Sequence, residues 1–141
     1  MRRAELGLLG GIVVALAIAG AAAAWTVARG ATGTAELTVD IRYSHFEPSE
    51  LSVPVGVPVT VVLRNRDPID HEWIVGDEAS HDRHRTGTEP VHGARPTEVT
   101  IPAGETRRTT IVLDEAGTLR YICHLPGHEA YGMVGVLVAG S

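Results

Sequence analysis

The sequence is poor in cysteine and aromatic residues, and it contains no lysine and no basic run. Cys123 is the only cysteine among 141 residues, which excludes a disulfide framework. All 12 basic residues are arginines and they face 17 acidic residues, so the formal charge of −5 argues against nucleic acid as a partner. Aromatic residues make up only 4% of the chain, whereas 16 glycines and 8 prolines are many for a helical bundle and ordinary for short strands joined by turns.

One long apolar run is present at the start of the chain. Residues 6–28 carry no charge over 23 positions, and Arg2 and Arg3 precede them. About 20 apolar residues span the hydrocarbon core of a bilayer as a helix, so the run predicts a transmembrane anchor. A cleaved secretory signal is the alternative, because the alanines at 22–24 offer a cleavage site. Trp25 favours the anchor, since aromatic residues are enriched at membrane interfaces.

Both interpretations divide the chain in the same way. Residues 1–30 are predicted to be the membrane anchor or signal segment, and residues 31–141 one exported domain. This domain would lie on the outer face of the cytoplasmic membrane if the run is retained, or in the periplasm or outside the cell if it is cleaved. It carries 9 arginines and 16 acidic residues, a net charge of −7. A lone cysteine is unusual in an exported protein, so Cys123 must be buried, reactive or bound to a ligand.

The exported domain shows the two-residue periodicity of β-strands. Leu37, Val39, Ile41 and Tyr43, for example, alternate with polar residues. About eight short strands are predicted, at residues 37–43, 51–55, 57–64, 71–75, 98–101, 107–113, 118–123 and 134–138. So many short strands in roughly 105 residues predict an all-β fold, a β-sandwich with Greek-key connections.

A polar segment, residues 76–96, interrupts the strand pattern, and the exported domain has no sustained helical periodicity. A loop of this length inside a compact domain is usually functional or disordered. It contains His81, His84 and His92. Imidazole suits both zinc and copper, so these histidines, together with His124, are candidates for a second metal site. A solvated loop that holds no metal is the alternative.

Three residues late in the sequence carry the most specific chemistry. Cys123, His128 and Met133 supply a thiolate, an imidazole and a thioether within eleven residues. A second imidazole, that of His71, comes from a distant predicted strand. Two histidines, one cysteine and a weakly bound methionine form the ligand set of a mononuclear copper site. His45 is the alternative to His71, but it lies far from a strand end that faces the loop.

The pattern C-x4-H-x4-M with an upstream histidine on a strand resembles the cupredoxin, or blue copper, family. The resemblance extends over nearly the whole exported domain, through the segments 46–48, 51–56, 59–65 and 71–75. It implies one copper ion per chain, alternating between Cu(I) and Cu(II), with the ligands His71, Cys123, His128 and Met133.

The resemblance further implies a one-electron carrier between redox proteins and not an enzyme. Cys123 would be the electron conduit, and His128 the edge that faces a partner. The apolar residues around His128 predict a small docking patch, as in weak redox encounters, formed by Leu125, Pro126, Ala130 and Tyr131. A copper carrier or sensor of the cell envelope is the first alternative. The second is a small copper oxidoreductase, which would require the extra histidines to hold a catalytic copper.

His124 directly follows Cys123, an arrangement that also resembles the last domain of multicopper oxidases. However, Ile122 stands where such oxidases have a histidine, and the sequence has no His-x-His pair. Successive side chains of a strand point to opposite faces, so His124 cannot share a copper ion with Cys123. A surface or hydrogen-bonded strand residue is therefore the favoured interpretation of His124.

Overall fold

The computed structural model describes residues 28–29, 35–89, 93 and 95–140. Residues 1–27 lie outside the described residues, and they include all but the last position of the apolar run predicted as an anchor or signal. His92 lies outside them as well. Among the residues that are described, no helix is both long and apolar enough to cross a membrane. They form ten strands and one helix: β1 (Ala28–Arg29), β2 (Ala35–Arg42), β3 (His45–Glu47), β4 (Glu50–Pro54), β5 (Val59–Asn65), β6 (His71–Gly76), α1 (Glu78–Thr86), β7 (Glu98–Ile101), β8 (Thr106–Ile111), β9 (Gly117–Ile122) and β10 (Val134–Gly140).

The strands form two five-stranded sheets. The first has the order β1-β2-β5-β8, with β3 paired to β2, and the second has the order β4-β10-β9-β6-β7. β2 is parallel to β5 and β4 is parallel to β10, whereas the other pairs are antiparallel. The predicted all-β sandwich is therefore confirmed. The eight predicted strands are present, and the short strands β1 and β3 are additional.

The core lies between the two sheets, where alternate residues of each strand point inward. Its fully buried members include Val39, Ile41, Val61 and Leu63 of the first sheet and Trp73, Tyr121 and Leu137 of the second. Burying one such side chain stabilises the fold by about 1.5–3 kcal/mol. This shared apolar layer fixes the two sheets relative to each other, and with them the strand ends that carry the candidate ligands.

The turn after β2 differs from the sequence prediction. Tyr43 was expected to continue the inward-facing row, but it is 82% exposed. β2 ends at Arg42. The next two residues, Tyr43 and Ser44, have φ angles of 54° and 56°, which residues other than glycine rarely adopt. The carboxylate of Asp67 accepts hydrogen bonds from their two N–H groups at 2.7 and 2.8 Å, and these bonds hold the turn.

The polar segment at residues 76–96 is not a continuous loop, because it contains helix α1. Asp77 caps the helix by accepting a hydrogen bond from the N–H of Ser80 at 2.8 Å, and Gly87 ends it in the left-handed conformation. His81 of this helix is fully buried, and the side chain of His84 is almost inaccessible. A helix that buries an imidazole instead of a row of apolar residues lacks the stripe by which helices are recognised in sequences.

Helix α1 packs on the outer face of the second sheet, away from the core. Ile74 of β6 and Ile122 of β9 are register partners outside the core cluster, and both are buried. At Gly76 the strand and the helix come so close that an added Cβ would lie 2.7 Å from the Cβ of Ser80. This packing places the helix beside the end of β9, where the candidate site begins.

Candidate metal centre

Residues 123–133, here called the ligand loop, connect β9 to β10 and fold back on themselves. The N–H of Cys123 donates to the carbonyl of Met133 at 3.2 Å, which joins the two ends of the loop. The N–H of Met133 donates to the carbonyl of His128 at 3.0 Å. Gly127, with a φ of 86°, supplies the left-handed residue of the tight turn before His128. The loop therefore returns His128 to the neighbourhood of Cys123.

Three of the predicted ligands meet at this end of the sandwich. His71 is the first residue of β6, and its Nδ1 lies 3.2 Å from Nδ1 of His128. The same atom of His128 lies 3.2 Å from Sγ of Cys123. All three ligand atoms are within 4.8 Å of one another. His71 and Cys123 are fully buried, whereas His128 is half-buried.

This donor set fits copper. Imidazole nitrogens bind a metal at about 2.0–2.1 Å, which places two nitrogens on one ion about 3 Å apart. Two imidazoles with one thiolate form the trigonal arrangement that is characteristic of electron-transfer copper sites. Sγ of Cys123 also accepts a hydrogen bond from the N–H of Glu72 at 3.3 Å, and such a bond favours the thiolate.

Burial controls the protonation of the candidate ligands. It raises the pKa of the Cys123 thiol, and the N–H of Glu72 acts in the opposite direction. The thiol therefore keeps its proton until a cation displaces it. Burial also lowers the pKa of His71, although the hydrogen bond to Asp67 favours the protonated ring. A neutral imidazole leaves a lone pair for a metal.

Asp67 orients the ring of His71. Its Oδ2 lies 3.0 Å from Nε2 of His71, which leaves Nδ1 directed at Cys123 and His128. Burial acts to raise the pKa of Asp67, but the N–H groups of Ser44 and Tyr43, together with His71, outweigh it and lower the pKa. A carboxylate behind a ligating histidine fixes its tautomer and orientation.

Asn65 in turn holds the segment that carries Asp67. Its Oδ1 accepts a hydrogen bond from the N–H of Asp67 at 2.9 Å. Its Nδ2 lies 2.7, 3.0 and 3.0 Å from the carbonyl oxygens of Ile69, Ile101 and Pro102. Both polar residues were missed in the sequence. The available signal was Asn-x-Asp before a proline, since both side chains readily bond to nearby backbone.

The remaining candidates for this site lie in two different environments. Met133 is fully buried and belongs to the core cluster at the end of the ligand loop. His45, the alternative to His71, is exposed on β3, and its Nδ1 lies 2.7 Å from the carbonyl oxygen of Tyr43. His45 is therefore outside the group formed by His71, Cys123 and His128.

A second cluster lies between α1 and the end of β9. Nε2 of His124 is 3.0 Å from Nδ1 of His81, and the ring of His124 stacks on that of His84 with centroids 5.3 Å apart. The three side chains are almost inaccessible. Burial, followed by the charge of His81, lowers the pKa of His124 to about 4. The structure thus groups three of the four predicted second-site residues, and His92 lies outside the described part of the chain.

Two buried acids beside His84 were missed in the sequence. Ligand atoms of His84, Glu89 and Glu98 lie within 4.8 Å of one another. Both acids pair with arginines: Nε of Arg83 lies 3.0 Å from Glu89, and Arg95 lies 2.9 Å from Glu98 and 3.3 Å from Glu89. The arginines compensate both carboxylates, so the pair of acids has a structural explanation.

Comparison with known proteins identifies the family. A family model described as "Cupredoxin-like domain" matches residues 12–139, and the chain belongs to this family. Copper is therefore its metal, as predicted from the sequence. Auracyanin A, a "blue" copper protein from Chloroflexus aurantiacus, superposes with a TM-score of 0.60 at 25% identity, over 77% of this chain and 100% of its own.

Two curated relatives are both called copper-resistant cuproprotein CopI. The protein from Rubrivivax gelatinosus is 31% identical over 96 residues, which is 66% of this chain and 58% of that protein. The protein from Pseudomonas aeruginosa is 26% identical over 142 aligned positions, 78% of each chain. This chain thus spans little more than half the length of the first relative.

Proposed function

We propose that this protein is an exported type 1 copper protein that carries single electrons. Nδ1 of His71, Sγ of Cys123 and Nδ1 of His128 would hold the copper, and Met133 would be a fourth, weak ligand. The observation that carries the proposal is the meeting of these three atoms within 4.8 Å in a largely buried pocket. Thiolate together with two imidazoles is the donor set of redox copper and not of an oxygen-rich magnesium or calcium site.

The protein contributes a fixed environment for the metal. Bound copper supplies the one-electron change between Cu(I) and Cu(II). Asp67 holds the ring of His71, the N–H of Glu72 bonds to the thiolate, and the core excludes water from Sγ of Cys123. Because these groups are held by the sandwich, they have little freedom to rearrange when the charge of the centre changes. Low reorganisation is what a fast one-electron carrier requires.

In this proposal, electrons pass between the copper and a partner protein through His128. It is the half-buried member of the group, while the other two members are inaccessible. Pro126, Ala130 and Tyr131 of the same loop are exposed, Tyr131 by 75%. They form an apolar surface of the kind that small, transient redox interfaces use. The net charge of −7 on residues 31–141 would steer basic partners towards the protein.

A second candidate function is copper handling in envelope copper resistance. It is favoured by the shared name of the two curated relatives, both copper-resistant cuproproteins. In this role the same centre binds copper, and electron exchange with a protein partner is not required. The two functions differ in one measurable property, reversible redox cycling.

The proposal is tested by the visible spectrum and voltammetry of the copper-loaded chain. We expect an intense thiolate-to-copper band and a reversible one-electron wave, both absent in Cys123→Ser. His45→Ala is the matched control, because His45 is exposed and outside the group; it should retain both signals. An intense band in Cys123→Ser would refute the ligand assignment. A band without a reversible wave in the parent would favour copper handling over electron transfer.

A further inference from the structure

The cluster between α1 and β9 is unusual because its buried groups are imidazoles. α1 is nine residues long, and its buried residue is His81, at 0% exposure. Burying a polar ring on a helix face costs free energy unless its nitrogens find partners. The partners of His81 are polar: its Nδ1 lies 3.0 Å from Nε2 of His124, and the backbone of Arg120 offers a further hydrogen bond. The position of His81 therefore calls for an explanation beyond packing.

The nitrogen–nitrogen distance between His81 and His124 is close to that between the two histidines of the Cys123 centre. Nδ1 of His81 lies 3.0 Å from Nε2 of His124, and the corresponding nitrogens of His71 and His128 lie 3.2 Å apart. Two nitrogens bound to one ion at about 2.0–2.1 Å are separated by about 3 Å at tetrahedral or square angles. In both pairs the nitrogen–nitrogen distance is therefore the one that a shared ion requires.

A third imidazole, that of His84, lies beside this pair. Its ring stacks on that of His124, with planes 17° apart. Its Nδ1 lies 2.9 Å from the carbonyl oxygen of Ser80, one helical turn earlier, which assigns the metal-binding role to Nε2. Glu98 lies behind this nitrogen at 4.0 Å and is held by Arg95. In the described residues His84 groups with Glu89 and Glu98, so its ring must turn before Nε2 can share an ion with His81 and His124.

A cavity that is open to solvent adjoins the cluster. A cavity of about 420 Å³ is lined by His84 and His124, by Glu129, and by part of the ligand loop. Arg85 of α1 bonds to Glu129 at 2.7 Å and also lines the cavity. An ion entering here would meet His84 and His124 first. The cavity adjoins the exposed residues of the ligand loop, and the site is therefore filled from the same end of the molecule as the first.

We propose that His81, His84 and His124 form a second copper site, one residue removed from the Cys123 centre. Three imidazoles suit copper, and divalent copper binds such ligands more tightly than zinc does. The site contains no thiolate, so its copper adds to the metal content without adding to the intense visible band. Because Cys123 and His124 are consecutive, a single peptide unit connects the ligands of the two ions.

The test measures copper per chain and the visible band on the same samples, after loading the full chain and removing excess metal by dialysis. The parent should hold two coppers. His81→Ala and His84→Ala should each hold one and keep the band at parental intensity, which also shows that the sandwich is folded. Loss of a ligand should weaken this site by more than the roughly 10–100-fold that a lost second-shell partner costs. His45→Ala, an exposed histidine outside both groups, should hold two.

Cys123→Ser separates this proposal from the proposed function. It should keep one copper and lose the band, and Cys123→Ser combined with His81→Ala should keep none. A parent with one copper and a His81→Ala variant that also keeps one would overturn the second site. So would a competition in which zinc displaces copper from it at equal concentrations. Failure of the Cys123 assignment alone would leave the loss of one copper in His81→Ala unchanged.

Discussion

At the scale of single residues, the copper centre depends on polar side chains behind the candidate ligands. His71 is fully buried, so the ring nitrogen that faces away from the other ligands needs a hydrogen-bond partner. Asp67 binds its Nε2 at 3.0 Å, and Asn65 binds the N–H of Asp67 at 2.9 Å. These two residues connect the first histidine to the turn that precedes β6. Support of this kind decides how accurately the ligands are placed.

Replacing Asp67 should weaken the metal site. Asp67→Ala removes the acceptor of His71 and leaves the N–H groups of Tyr43 and Ser44 without their partner. We expect copper affinity to fall about 10–100-fold, measured by competition with a chelator. Asp40→Ala is the control, because Asp40 pairs with Arg66 at the surface, and its effect should be negligible. Parental affinity in Asp67→Ala would show that His71 needs no such support.

Met133 should tune the reduction potential without being needed to hold copper. A weakly bound thioether would add little to copper binding but would influence the balance between Cu(I) and Cu(II). Met133→Leu removes the sulfur at similar size and should raise the potential, whereas Met133→Gln offers a harder oxygen and should lower it. Voltammetry and copper content of both variants check this. Complete loss of copper in the Leu variant would instead make Met133 a principal ligand.

The candidate ligands could be predicted from the sequence, whereas the polar residues that orient them could not. Cys123, His128 and Met133 lie close together in the chain, so their chemistry is visible as a local pattern. Asp67 acts through contacts with residues 23 and 24 positions earlier, and such contacts exist only after β2 and β5 have paired. The convergence of His71, Cys123 and His128 was predicted; their role as ligands remains a prediction.

At the scale of elements, the pairing of β9 with β10 holds both ends of the ligand loop. Tyr121 and Gly135 are register partners in this pair, and the Tyr121 ring lies where a side chain at position 135 would be. The Tyr121 hydroxyl donates to the carbonyl of Pro48 at 2.8 Å. The missing Cβ of Gly135 therefore makes room for a fully buried ring two residues before Cys123.

Gly135→Ala should therefore destabilise the protein. The added methyl group overlaps the Tyr121 ring, and overpacking of this kind costs about 1–3 kcal/mol. Gly117→Ala is the matched control, since Gly117 lies at the far end of the same strand pair and an added Cβ meets nothing within 4 Å. Urea unfolding of both variants measures the difference. Equal free energies of unfolding would mean that the ring moves aside without cost.

Strands and helix differ in how well the sequence predicted them. The eight main strands agree because each has one face in the core, which imposes the two-residue period. α1 was missed because it packs on an outer face through His81, and its other residues are polar or small. Its end signals, Asp77 and Gly87, are present but do not reveal a helix without periodicity. The helix also carries His81 and His84 and places both beside His124.

For the molecule as a whole, we expect the fold to form without bound metal. The core between the sheets is apolar and continuous, and most of it comes from strands that carry no candidate ligand. A zinc finger, by contrast, is unfolded without its metal. This chain should fold without copper into the same sandwich, with His71, Cys123 and His128 already close together. Copper then adds stability by binding the folded state only.

Copper should consequently raise the midpoint of thermal unfolding by a predictable amount. A ligand at 100 times its dissociation constant stabilises the folded state by about 2.7 kcal/mol. For a domain of about 100 residues, each kcal/mol moves the midpoint by about 4–8 °C, so a shift of roughly 10–20 °C is expected. Calorimetry of the parent and of Cys123→Ser, each with and without copper, measures the shift in the midpoint. Copper should raise the midpoint of the parent more than that of Cys123→Ser. The difference between the two shifts is the stabilisation by copper at the Cys123 centre. A copper-free chain that shows no cooperative transition would contradict the argument, because the sandwich would then depend on its metal.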